Sequence, residues 1–449
     1  MRRFLNSVCS SRFIRRPATP PVYPYICRPV SSRLYTATPQ PQEDDRPHFI
    51  FFEEPLGISA EEGCGWFQGG PGSLLGPDSC FKVEAKLGWG TTSSLWLARD
   101  FRKDRYVALK ILSGFASQLN KEDKLQELKV LQHLSSDTSS PLPVDPSGTF
   151  SRLLTHFYHQ GIEDDGEHLC LVMDLLGPSM HGIRDGLPNF GYLPLPIVKR
   201  MLRDVLTGIA YAHSRGVAHT DIKPDNIMIA LSDKWTTEAI AEWLKANPPR
   251  THPPEQSVTK MISAFVSQSL PPPTFSELAV GKYTLADWGS AQLVNSQTTD
   301  HITPLGLRPP EIVLGGEWDE SVDIWTFGCI VFNALTRCPL FKPIDYEEKG
   351  VSEEAMLLYQ MIMFCGEFFH KDLLTRCSRS HDYFNINCSL KGFDRFLRKP
   401  FQDCIRGCGY PFSDEEIEQA AAFMHRCLRL DPKNRATARD LLEDPWLLS

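Results

Sequence analysis

The stretch His219-Thr220-Asp221-Ile222-Lys223-Pro224-Asp225-Asn226 decides how this chain is read. It follows the strongest helical pattern in the sequence, Ile197 to Arg215, which Pro196 opens and Gly216 closes. The carboxylate of Asp221 can accept or orient the proton of an attacking hydroxyl. The ammonium of Lys223 can steady a phosphoryl group in transfer, and the amide of Asn226, five residues after Asp221, can hold a metal ion. An Asx-rich turn capping a helix uses the same residue types, so the octapeptide is weighed with its neighbours.

Two further segments supply that company. Downstream, Leu285-Ala286-Asp287-Trp288-Gly289 places an Asp between an apolar run and an aromatic-Gly pair, where it can hold Mg²⁺ between phosphate oxygens. Upstream, Leu87-Gly88-Trp89-Gly90-Thr91-Thr92-Ser93-Ser94-Leu95 joins two β-like runs, and its close glycines let a hairpin backbone approach phosphates. Lys110, in Val-Ala-Leu-Lys, stands 15 residues after Leu95 and can neutralise the α and β phosphates. A G-x-G hairpin and a strand lysine are each common alone. The three segments in this order are far more specific.

Taken together, these segments resemble the eukaryotic protein kinases from Phe81 to Leu447. The resemblance implies an α+β, two-lobed fold: a β-rich N-lobe with one main helix over 81–173 and a mostly α-helical C-lobe over 177–447, with ATP and Mg²⁺ in the cleft. Asp221 and Lys223 would be catalytic, and Asn226 and Asp287 would bind metal. The loop from Leu87 to Leu95 would cover the nucleotide, with Leu87, Leu95, Ala108 and Met173 walling the adenine and Asp174 to Leu176 forming the hinge. Glu127 would pair with Lys110, Glu311 with Arg435, and Asp323 would support the catalytic loop.

Four features narrow the resemblance to the SR-protein kinase branch (SRPK) of the CMGC group, as in its fungal members. They are Leu-Gly-Trp-Gly at 87–90, His-Thr-Asp-Ile-Lys-Pro at 219–224, a spacer between Asn226 and Asp287, and Arg308 before Pro-Pro-Glu. That branch implies serine in Arg/Ser-rich proteins, such as splicing factors, as the acceptor. The acids Asp345, Glu347, Glu348, Glu353 and Glu354 resemble its docking groove for basic peptides, although a solvated loop and helix start would account for them equally well. The other functional reading is a pseudokinase scaffold that binds a basic partner without phosphoryl transfer. Three departures stand out. Ser93 replaces the third glycine, Trp288 replaces Phe, and Thr220 replaces the Arg that elsewhere grips an activation-loop phosphate. Constitutive folding of the segment 288–308 is expected from the last.

Around this domain the chain is uneven. Residues 1–40 hold seven Arg and no acid, a composition that fits a mitochondrial presequence or a disordered basic tail. Location is left open by this, because the family resemblance implies cytoplasm and nucleus. Residues 41–80 are an acidic, Gly-rich extension, and 230–280 is a Pro-rich insert expected as a surface loop that is helical near 235–246 and bears on localisation or scaffolding. Lys121 to Leu134 carries a leucine stripe that predicts one helix.

Of the 449 residues, 42% are hydrophobic and 23% charged, which excludes global disorder. Beyond residue 40 the net charge is −15, so a basic partner is favoured over nucleic acid. The longest uncharged apolar stretch, Ile324 to Thr336, is too short for a membrane span. Thirteen scattered cysteines without C-x-x-C read as reduced thiols, and Cys404 and Cys408 lack the company a zinc site needs. A monomer is expected.

Overall fold

Apolar alternation over 81–112 becomes an antiparallel sheet in the computed structural model, which describes residues 51–136, 145–187, 192–258, 260–345, 350–409 and 412–449. β1 (Leu74–Leu75), β2 (Phe81–Trp89), β3 (Ser93–Asp100), β4 (Arg105–Leu112), β5 (Leu153–Gln160) and β6 (Glu167–Met173) form one sheet in the order β1-β2-β3-β4-β6-β5. One face buries Val83, Trp96 and Leu109 with Phe67 of the preceding segment, and the other buries Ala85 and Leu97.

The helix expected over 121–134 begins only at Glu127, and a separate helix precedes it. Ser113 caps α1 (Gly114–Lys121) by accepting the Ala116 N–H at 3.2 Å, and the N–H groups of Lys124 and Leu125 fold back onto the Leu119 carbonyl. Asp123 turns through φ 55° before α2 (Glu127–Ser135) begins, so Leu125 belongs to the turn while Leu131 and Leu134 stay buried. Leu153 to Met173 then returns the chain to the sheet edge.

The second lobe is helical. Its longer elements are α3 (Leu195–Ser214), α5 (Ser321–Thr336), α6 (Glu353–Cys365), α7 (Phe401–Gly407) and α8 (Asp414–Cys427), whereas α4 (Thr237–Ala246), from the insert, packs on the small lobe. The uncharged apolar stretch lies inside α5, where Trp325 and Phe327 are fully buried. Among the described residues no helix is long and apolar enough to cross a membrane. Short strands carry the loops between the lobes: β7 (Leu176–Ser179), β8 (Val217–Ala218), β9 (Ile227–Ala230), β12 (Tyr283–Leu285) and β13 (Gln292–Leu293). β12 pairs with β9, and β13 with β8.

The Pro-rich insert is built into the small lobe. Beyond α4 it adds the hairpin β10 (Glu255–Gln256) and β11 (Met261–Ile262), and Ile240 of α4 packs on Ala85 and Leu97. Gln268 donates its N–H to the Lys86 carbonyl at 2.9 Å. The Lys86 ammonium, fully buried by the sheet, is met by Glu53 at 3.2 Å, by Glu54, and by the Phe265 carbonyl at 3.3 Å. Glu53 also accepts from Ser267 N and Oγ at 2.9 and 2.7 Å. A buried cation needs paired carboxylates, and here the extension supplies them while the insert fixes one of them. The expected basic leader, residues 1–40, lies outside the described residues, as do 41–50 of the extension.

Candidate active site

Strand β8 ends at Ala218, and the octapeptide that follows is held by one buried carboxylate. Asp323, in the first turn of α5, accepts the His219 N–H at 2.7 Å, the Thr220 N–H at 2.8 Å and His213 Nε2 at 3.0 Å. These contacts hold Thr220 in a left-handed conformation, φ 65°, which a β-branched residue adopts only under surrounding constraint. The Thr220 hydroxyl donates to the Ser290 carbonyl at 2.7 Å, so the residue that replaces an arginine ties the loop to the segment after Asp287. His219 accepts the Asp221 N–H on Nδ1 at 3.2 Å and reaches the Ala286 carbonyl through Nε2 at 3.1 Å.

The expected residues converge. Asp221 Oδ2 accepts Lys223 Nζ at 2.7 Å and Asn226 Nδ2 at 3.1 Å, and the same amide nitrogen donates to the Asp221 carbonyl at 2.8 Å. Both donors restrict Asp221 to one pose, and the amide oxygen of Asn226 is turned away from it. Pairing of β12 with β9, continued by Ala286 N–H to Asn226 C=O at 2.8 Å, sets Asp287 beside this group. Asp287 itself is left-handed, φ 61°.

Lys110 spans the two lobes. Its ammonium lies 2.5 Å from Glu127 Oε1 and 2.7 Å from Asp287 Oδ1. Burial alone pushes the Lys110 pKa down, but Asp287 and Glu127 outweigh it and raise it. In return the Lys110 charge, ahead of the opposing effect of burial, lowers the Asp287 pKa to about 2. Burial works against Lys223 as well, and its bond to Asp221 raises its pKa. At neutral pH the cleft therefore holds two ammonium groups and an ionised Asp287.

The space around these groups suits a polyphosphate and a hard cation. A Cβ built on Gly88 or Gly90 would meet no atom within 4 Å, so the hairpin tip is open beneath. A Cβ on Gly289 would come within 3.2 Å of Asp287 Oδ1 and 3.5 Å of Lys110 Nζ, crowding the oxygen and the ammonium that face the cleft. Asp287 and the Asn226 amide offer oxygen donors of the kind Mg²⁺ prefers. Ser93, in place of a third glycine, is not among the residues with positive φ and carries no strain there. Ser94 is buried and bonded to Trp96 Nε1 at 2.9 Å, while Thr91 is exposed and Thr92 half-buried. Trp89 packs edge-on against Trp66 at 6.2 Å, on the cluster formed by Leu56, Cys64, Ile262 and Ala264. Leu95, Ala108 and Met173 join one apolar cluster and Leu87 a neighbouring one, with Ala108 opposite Met173 across β4 and β6. Asp174 and Leu176 continue from that point, Asp174 reaching Arg152 at 3.5 Å.

Sequence reasoning missed Gln126. Buried just before α2, it donates to the Ser296 carbonyl at 2.7 Å and accepts the Leu293 N–H at 3.0 Å, latching the segment after Asp287 to the helix that carries Glu127. Elsewhere Trp288 is fully buried, with its ring 4.6 Å from that of His219. Glu311 and Arg435 form a bidentate buried pair at 2.6 Å for each bond. Three of the five expected docking acids are among the described residues. Asp345 is exposed, Glu353 and Glu354 open α6 behind a Ser352 cap, and Glu347 and Glu348 lie outside the described residues.

The sequence profile of the protein kinase domain matches residues 81–237 and 277–447. The chain belongs to the protein kinase family. Its kinase domain is of the serine/threonine class, and it is SRPK-like. It is 29% identical to the serine/threonine-protein kinase SRPK of Physarum polycephalum over 384 residues, 82% of this chain and 86% of that one. SRSF protein kinase 3 of Homo sapiens is 33% identical over 506 aligned positions, covering 82% and 86%. Protein kinase dsk1 of Schizosaccharomyces pombe is 26% identical over 448, covering 82% and 80%. Among solved structures, the kinase domain of PF14_0431 superposes with a TM-score of 0.59 at 20% identity, over 85% of this kinase and 98% of its own length. The profile skips 238–276, the part of the insert that this kinase folds onto its small lobe.

Proposed function

We propose that this kinase transfers the γ-phosphoryl group of ATP to serine in Arg/Ser-rich proteins. The observation that carries the reading is the Lys110 ammonium seated between Glu127 and Asp287, with the Asp221, Lys223 and Asn226 group assembled beside it. Asp287 and the amide oxygen of Asn226 would hold Mg²⁺, and Lys110 would hold the α and β phosphates. Bound Mg-ATP supplies the electrophilic phosphorus and neutralises charge on the β and γ oxygens. Asp221 orients the serine hydroxyl through Oδ1, since Oδ2 is occupied by Lys223 and Asn226. Lys223 then stands where negative charge grows on the transferred group. Leu87, Leu95, Ala108 and Met173 would enclose the base, with backbone groups of Asp174 to Leu176 reading its edge.

The substrate class rests on likeness to SRPK and SRSF protein kinase 3 and on the net −15 charge outside residues 1–40, which favours a basic peptide. Competition between an Arg-Ser repeat peptide and an acidic casein-like peptide for labelled ATP tests it. Preferential incorporation into the Arg-Ser peptide, weakening as salt rises, is the expected outcome. Preference for the acidic peptide would keep the kinase and remove the docking claim.

A further inference from the structure

Cys404 and Cys408, left without a role by the sequence, gain a third thiol in the fold. Helix α5 ends at Thr336, Arg337 turns through φ 59°, and Cys338 follows with its N–H held by Thr336 Oγ1 at 3.2 Å. From the facing side α7 presents Cys404 and, one turn on, Cys408, whose thiol lies 3.3 Å from the Cys404 carbonyl. All three cysteines line one small pocket with Phe332, Lys342 and Lys399. Cys338 and Cys408 thus face the same pocket from two different segments of the chain. Among the described residues no group of three or more His, Cys, Asp or Glu is placed to hold a metal, so zinc does not explain the convergence.

Access and charge separate this pair from the thiols of the core. Cys338 and Cys408 are half-buried, whereas Cys329, Cys365 and Cys427 are enclosed in the core. The groups facing Cys338 are Lys342 and Arg337 on its own segment and Lys399 across the pocket, with Tyr192, which donates to the Thr336 carbonyl, alongside. The neighbouring Cys408 thiol, then Lys342 and Arg337, bring the Cys338 pKa down to about 6 against the pull of burial. A thiolate at neutral pH with a second thiol in reach is the arrangement that peroxide-responsive cysteines use.

We propose that Cys338 and Cys408 are a dithiol site for hydroperoxides. The Cys338 thiolate attacks hydrogen peroxide, the O–O bond breaks, hydroxide leaves, and the sulfur is oxidised to the sulfenic acid. The Cys408 thiol then attacks that sulfur, its proton leaving with the displaced hydroxyl as water, and a disulfide closes. Two electrons pass from the two sulfurs to the peroxide. The bridge would tether the chain between α5 and Asp345 to α7.

The test uses the full reduced chain. After hydrogen peroxide, digestion without reductant should yield a peptide linking Cys338 to Cys408 that dithiothreitol dissolves. In Cys408→Ser the link should vanish and Cys338 should instead take the sulfenic-acid probe dimedone. Iodoacetamide should alkylate Cys338 at nearly the same rate from pH 7 to 8.5, where an ordinary thiol of pKa about 8.5 speeds up on the order of tenfold. A peroxide-treated wild-type chain in which Cys338 stays fully alkylatable, or is linked only to Cys404, would overturn the proposal. So would a tenfold rise in its alkylation rate over that pH interval.

Discussion

Gln126 donates its side-chain amide to the Ser296 carbonyl at 2.7 Å, so the residue that starts the Glu127 helix also fixes the segment that follows Asp287. A second bond, from Leu293 N–H to Gln126 Oε1, closes the latch. Further along, Gln297 Nε2 reaches the Trp318 carbonyl at 2.9 Å and Trp318 Nε1 reaches Asp300 at 2.9 Å. Together with the Thr220 to Ser290 bond, these contacts tie the segment to its surroundings. Replacing Ser296, Thr298, Thr299 and Thr303 together by Ala should leave most of the activity. Gln126→Ala, losing two partly buried hydrogen bonds at about 1 kcal/mol each, should lower kcat by up to about 30-fold. Initial rates of peptide phosphorylation check both, and near-total loss in the fourfold variant would contradict the latch.

Lys86 joins extension, sheet and insert. Lys86→Met would leave Glu53 and Glu54 buried without their cation, and breaking a buried pair costs about 3–5 kcal/mol. The expected signs are a lower denaturation midpoint, faster proteolysis between 247 and 270, and a higher KM for ATP, because Trp89 rests on the same extension and insert. Unchanged proteolysis would show that the insert is held by other contacts.

Glu311 and Arg435 are both fully buried, and Arg435 also lies over the Trp325 ring at 5.2 Å. Arg435→Ala strands the carboxylate and should cost about 3–5 kcal/mol in urea unfolding. The double variant Glu311→Gln with Arg435→Met should cost less than the sum of the two single changes. Additive losses would argue against a coupled pair.

Asp165 runs the other way. Burial, partly offset by a Gln68 bond at 2.6 Å, raises its pKa from 3.8 to about 6, and its Oδ2 is buried without a partner. A carboxyl whose folded pKa is raised gives full stability below the unfolded pKa and loses it as pH rises through the folded one. The window is therefore pH 4 to 6, and the ionised group costs at most about 3 kcal/mol at neutral pH. Asp165→Asn should raise the melting temperature at pH 7 and flatten its fall between pH 4 and 6. A variant less stable than wild type at pH 7 would contradict this.

The residues legible in the sequence are those whose meaning is local. Asp221, Lys223 and Asn226 sit in one turn, and Asp287 follows a short strand, so spacing alone places their chemistry. The pairing of Lys110 with Glu127 was legible only through the resemblance to the protein kinases, because α1 stands between the strand and the helix that carry them. Gln126 was not legible: its partners are backbone atoms of residues 293 and 296, and no side-chain pattern records a contact to backbone. The break before α2 was hidden because the leucine stripe continues through the turn at Asp123. Composition placed the helix of the insert near 235–246 but did not reveal its contacts, for a similar reason. Its prolines describe an irregular path, while its hold on the small lobe lies in the Glu53, Lys86 and Phe265 contacts, far apart in the chain.

The most direct measurement is γ-phosphoryl transfer from labelled ATP to an Arg-Ser repeat peptide by the full chain, kept from any other kinase, beside its Asp221→Ala variant. Transfer by the untreated chain from the first time point, and a loss of roughly 10²- to 10⁴-fold on removing the carboxylate, is the expected result. ATP binding without transfer, or transfer that Asp221→Ala leaves untouched, would contradict it.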